Sequence, residues 1–72
     1  MFTRAGCHLC DDALEVVAAA CAASGTEYDL VDIDTSPELR ERYGDQVPVV
    51  TVDGAMVGFW RIDADILRGA LA

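Results

Sequence analysis

The sequence predicts a small α/β domain whose elements run β-α-β-α-β-β-α. Three stretches carry that reading. A run of strong helix formers, His8 to Ser24, lies between two segments of strand character. A second helix is punctuated by Ser36-Pro37 before it and Gly44 after it. Val47 to Val52 and Ala55 to Gly58 flank Asp53-Gly54, the signature of a two-residue hairpin whose type I′ turn needs positive φ at both positions.

Taken in order, Met1 to Thr3 reads as a short first strand and Arg4-Ala5-Gly6 as a loop. A strand this short, if it lies inside a sheet, raises the expectation of a natural start upstream of Met1. The first helix carries Asp11, Asp12 and Glu15 in its early turns, where they oppose the helix dipole favourably, and Gly25 stops it. Leu9, Ala13, Val16, Val17 and Ala20 form its core-facing stripe, while Ala18, Ala19, Ala22 and Ala23 coat an outer face. Glu27 to Ile33 is a strand in which Tyr28, Leu30, Val31 and Ile33 are interleaved with Glu27, Asp29 and Asp32. These acids and Asp34 suit the solvent face and end of an edge strand, where charge discourages aggregation. Ser36 caps the second helix with Pro37 at its first position. Asp63 caps a third, Ala64 to Leu71, with Ile66, Leu67, Ala70 and Leu71 as its apolar stripe and Ile62 and Leu67 at staple spacing.

The chain has 72 residues, so one domain spanning 1–72 is expected, of a size at which the core alone gives modest stability. Its three cysteines do not make a disulfide-stapled miniprotein, because Cys7 and Cys10 are too close in sequence to join distant segments. The longest apolar run, Val16 to Ala23, is too short to span a bilayer, and no basic stretch precedes an apolar one at the start. These features predict a soluble cytoplasmic protein. A net charge of −8, with five Arg and no Lys, argues against nucleic acid as partner.

The chemistry concentrates in Cys7-His8-Leu9-Cys10, between Gly6 and the acidic pair Asp11-Asp12. A thiol at a helix start faces unpaired N–H groups and the positive end of the dipole, which favours its thiolate. Asp11 and Asp12 act in the opposite direction. The second Cys lies about one turn on, within bridging reach. In a reducing compartment such a pair is redox-active or metal-binding before it is structural. Zinc needs four ligands, and beyond the pair only His8 and Cys21 are on offer, with no second pair at ligand spacing, so no metal site is expected. Cys21, among alanines, reads as a buried small hydrophobe.

The element order and the cysteine pair together resemble the glutaredoxins and thioredoxins, most closely a small glutaredoxin-like group. The resemblance runs over Thr3 to Asp11, Tyr43-Gly44, Val47-Pro48-Val49 and Asp53-Gly54. It implies a thioredoxin-like, glutaredoxin-type three-layer α/β/α sandwich with a four-stranded mixed sheet in order 2-1-3-4. The first and third helices would lie on one face and the second on the other. It implies Cys7 as exposed nucleophile, Cys10 as resolving thiol and a cis Val47-Pro48 bond that places the Val47 backbone beside Cys7, where an extended substrate can pair with it. Arg4 falls where glutaredoxins carry a basic residue that contacts a carboxylate of glutathione. The chain departs from the family pattern in having His8 and Leu9 between the cysteines, Gln46 before Val47-Pro48, and Gly58-Phe59-Trp60 in place of Gly-Gly after the fourth strand.

The function this implies is thiol–disulfide exchange by a dithiol mechanism in a monomeric domain, with no bound cofactor and glutathione as candidate co-substrate. The partners are a protein disulfide or glutathione mixed disulfide and a reductant, either glutathione or a thioredoxin reductase. Candidate substrate-binding residues are Arg4, His8, Val47, Pro48, Gly58 and Trp60. His8 modulates the pair from the helix start. Phe59 and Trp60 either form an apolar rim for a protein substrate or pack between sheet and last helix, while Arg61 reads as a solvated surface residue. Two rivals share the resemblance: an iron–sulfur or metal module in which Cys7 thiolates of two chains hold a cluster, and a binding module without turnover.

Overall fold

The computed structural model describes residues 1–72, and its elements follow the predicted order. They are β1 (Phe2–Thr3), α1 (His8–Ser24), β2 (Val31–Asp32), a 3-10 turn (Ile33–Thr35), α2 (Pro37–Tyr43), β3 (Val49–Val52), β4 (Ala55–Phe59) and α3 (Ala64–Leu71). The sheet order is β2-β1-β3-β4, with β1 and β2 parallel and the β1–β3 and β3–β4 pairs antiparallel. This is the mixed 2-1-3-4 sheet of the thioredoxin-like fold.

Local chemistry explains where the helices begin and end. Cys7 is the N-cap of α1, and Gly25 closes it at φ 69, a left-handed conformation that costs glycine little. The Ser36 hydroxyl accepts the Leu39 N–H at the start of α2. Asp63 accepts from the amides of Asp65 and Ile66 at the start of α3. At the hairpin Asp53 and Gly54 both have positive φ, 51° and 85°, as a type I′ turn requires. Val57 is the extra residue of a bulge between the Val50–Gly58 and Thr51–Met56 pairs.

The core has two sides. Val17, Ala20 and Cys21 of α1, Val50 of β3 and Leu67 of α3 form one buried cluster, so α1 and α3 cover the same face of the sheet. Val49, next to Val50, points to the opposite face and is fully buried. Phe2, paired with Val49 across the ladder, stacks on Tyr43 at the end of α2 with ring centroids 4.5 Å apart. α2 therefore covers the second face, which makes the three layers.

Several expectations need correction. The strand predicted over Glu27 to Ile33 is only Val31–Asp32, because β1 offers it two partners, Phe2 for Val31 and Thr3 for Asp32. Beyond that, the Asp32 carboxylate accepts the Asp34 N–H and the Asp32 carbonyl accepts the Thr35 hydroxyl, turning the chain into the 3-10 turn. Tyr28 and Leu30 are left exposed. β3 starts at Val49 rather than Val47, since Pro48 has no N–H and the Val47 N–H donates to the Tyr43 carbonyl. β4 runs one residue further, to Phe59. The buried stripe of α1 is Cys10, Ala13, Val17, Ala20 and Cys21, with Leu9 and Val16 half-buried at its edge. In α3 Leu67 carries the core contact, while Ile66 and Ala70 face solvent. The outward alanines Ala19, Ala22 and Ala23 and the buried Cys21 are as the sequence predicts, while Ala18, expected with them on the outer face, is half-buried. No helix is long and apolar enough to cross a membrane.

Candidate dithiol site

Cys7 and Cys10 form a disulfide at the start of α1, with Cα atoms 5.2 Å apart. Their surroundings differ. Cys7 is half-buried, whereas Cys10 is 3% exposed and belongs to the inward stripe of the helix. The Cys7 Sγ also accepts the Cys10 backbone N–H at 3.1 Å. The first turn of a helix has no earlier carbonyls for its amides, so this N–H is free to serve the sulfur. The Cys7 carbonyl accepts the Asp11 N–H at 3.3 Å and so starts the helical ladder.

The bond preceding Pro48 is cis, and Pro48 itself is buried. Val47 is half-buried and lines an open pocket of about 470 Å³ with Leu9, Phe59, Trp60 and Arg61. Val47 thereby shares a pocket with Leu9 of the Cys-x-x-Cys turn, some forty residues away in sequence. Phe59 and Trp60 are 43% and 53% exposed and meet edge to face, ring centroids 5.3 Å apart. Both rings line the pocket and remain partly open to solvent. A side chain on Gly58 would come within 3.2 Å of Ile62 Cδ1, so Gly58 allows Ile62 to lie close against β4.

With this fold and this cysteine pair in place, the chain matches the model of the glutaredoxin-like domain (DUF836) over residues 1–72. The chain belongs to that family. Uncharacterized proteins of Mycobacterium tuberculosis and Mycobacterium bovis are each 34% identical to this glutaredoxin-like domain over 77 residues, covering 100% of it and 79% of their own length. The X-ray structure of a structural-genomics target protein from X. campestris superposes with a TM-score of 0.81 at 38% identity, covering 97% of this chain and 89% of that one. For the glutaredoxin-like family a Cys pair in this place points to a redox role.

The structure does not gather all the predicted site residues of this glutaredoxin-like domain. Val47 and Trp60 share the pocket. His8 is exposed on the first turn of α1. Arg4 turns to Asp34, its Nε 3.2 Å from Oδ2 and its Nη2 3.1 Å from Oδ1, a two-pronged pair. A substrate carboxylate reaching Arg4 has to compete with Asp34, a partner thirty residues away that no motif announces. Leu9 and Arg61 enter the pocket although sequence reasoning gave one to the core and the other to solvent. Leu9 was signalled only by its place between the cysteines, and Arg61 only by following Phe59-Trp60. Cys21 is a free thiol inside the α1–α3 cluster, remote in character from the pair. No group of three or more His, Cys, Asp or Glu side chains converges as a metal set.

Proposed function

We propose that this glutaredoxin-like domain is a thiol–disulfide oxidoreductase that works by dithiol exchange, with Cys7 as nucleophile and Cys10 as resolving thiol. The observation that carries the reading is the asymmetry of the pair: Cys7, the less buried of the two, is also the one whose sulfur receives a helix-terminal N–H. In the reduced state that donor favours the thiolate of Cys7. The thiolate attacks one sulfur of a substrate disulfide, forming a Cys7–substrate bond and expelling the other substrate sulfur as thiolate, which takes up a proton. Cys10 then gives up its proton and attacks the Cys7 sulfur, releasing the second substrate thiol and leaving the Cys7–Cys10 disulfide. Two electrons pass from the dithiol to the substrate. A thiol reductant, glutathione or a thioredoxin reductase, returns them.

Val47, Pro48, Gly58 and Trp60 shape the substrate side of this site, with the exposed His8 at its edge. Arg4 serves a substrate carboxylate only when it leaves Asp34. The domain works as a monomer in the cytoplasm, without a resident cofactor or metal, and glutathione is a candidate co-substrate. The test is a coupled assay offering glutathione with its reductase, or thioredoxin reductase, to wild type, Cys7→Ser and Cys10→Ser. Cys7→Ser abolishes disulfide reduction and Cys10→Ser accumulates a mixed disulfide seen by mass spectrometry. Full turnover by Cys7→Ser would overturn the assignment.

A further inference from the structure

The backbone groups of residues 45 to 48, among which Val47 shares a pocket with Leu9 of the Cys-x-x-Cys turn, are mostly engaged. The Tyr43 carbonyl accepts the N–H of Gln46 at 2.8 Å and of Val47 at 3.1 Å. Trp60 takes the carbonyls. Its indole Nε1–H donates to the Asp45 carbonyl at 2.7 Å, and its backbone N–H is shared between the carbonyls of Pro48, at 3.0 Å, and Gln46, at 3.3 Å. Of the four carbonyls from 45 to 48, only that of Val47 accepts nothing from the protein.

Trp60 also sits at φ 59, in the left-handed region that a large side chain seldom occupies. That conformation lets one residue direct both its amide and its indole N–H at the same segment. The segment is anchored at its other end by Tyr43, stacked on Phe2, and by Gly44, where a side chain would run into the Arg40 carbonyl.

We propose that Trp60 is a positioning residue: by holding the carbonyls of Asp45, Gln46 and Pro48 it presents that of Val47 as the single backbone acceptor for an N–H of an extended polypeptide disulfide, whose neighbouring apolar side chain enters the Leu9–Val47–Phe59–Trp60 pocket. This rests on the dithiol reading and narrows it. With the Val47 N–H already given to Tyr43, substrate pairing at Val47 is one-sided, so recognition depends on the single carbonyl and the pocket.

The test compares wild type with Trp60→Phe on a cystine-linked peptide and on the same peptide N-methylated beside its half-cystine. Chemical synthesis of the chain with β-(3-benzothienyl)alanine at position 60 supplies a second variant, which keeps the indole shape and loses only the N–H. Both variants raise KM roughly three- to tenfold, the loss of one hydrogen bond, while kcat stays within about twofold because the thiols are untouched. N-methylation raises the wild-type KM by a similar factor and raises that of the variants less. Independently of turnover, exchange of the Gln46 and Val47 amides quickens several-fold in the variants while that of the core residue Val50 does not. An unchanged KM together with unchanged exchange at Gln46 and Val47 overturns the positioning role, as does an N-methyl penalty equal in wild type and variants. Absence of turnover by wild type counts against the dithiol reading instead, and the exchange comparison still decides Trp60.

Discussion

Cys7 and Cys21 lie along the same helix, roughly four turns apart, and the structure gives them opposite surroundings. Cys7 is the N-cap: its backbone is extended, its sulfur is half-buried, and an amide with no helical acceptor points at it. Cys21 is interior. It is 4% exposed among Val17, Ala20, Val50 and Leu67. The comparison shows that the chemistry of a thiol here is set by its position on the helix. A residue at the helix start meets spare donors and solvent, whereas an inward residue about four turns later packs among aliphatic side chains.

The sharpest way to break this contrast is to exchange sulfur for oxygen at each place. Cys7→Ser removes disulfide reduction entirely, while Cys21→Ser leaves turnover per folded molecule unchanged; a loss of turnover in folded Cys21→Ser would make it a third redox thiol. With the disulfide reduced, iodoacetamide labels Cys7 in the native state and Cys21 only on unfolding, as peptide mapping would show. Next in size is Leu67→Ala, which removes the α3 side chain from the cluster around Cys21. It costs roughly 2–5 kcal/mol, a large share of the stability of a small domain, and denaturant titration measures it.

Cys21→Ser itself costs less, about 1–3 kcal/mol, by placing a hydroxyl where the thiol packs. A neutral result in the same titration would mean that the hydroxyl finds a helical carbonyl. The smallest effect is expected at the site end. Arg4 and Asp34 are about two-fifths exposed, 42% and 38%, so Asp34→Asn lowers stability by less than about 1 kcal/mol. A larger loss of melting temperature would show the pair to be part of the fold.

Much of the molecule was legible because its signals are local. The limits of α1, the Ser36 and Asp63 caps, and the Asp53-Gly54 turn each depend on residues a few positions apart, and all stand where the sequence places them. Strand lengths were less legible, since a strand is as long as its ladder: Tyr28 and Leu30 have the right alternation, but the pairing with β1 is confined to Phe2–Val31 and Thr3–Asp32.

The sequence by itself determined the order of elements, the cysteine pair at a helix start and the burial of Cys21, because helix formers, caps and turn residues act through neighbouring backbone. Tertiary structure alone decided which groups surround that pair. The Arg4–Asp34 fork, the pocket that joins Leu9 to Val47 and Arg61, and the hold of Trp60 on residues 45 to 48 all link segments far apart in the chain. Such contacts arise when the sheet sets its strands side by side, and no spacing along the sequence encodes them.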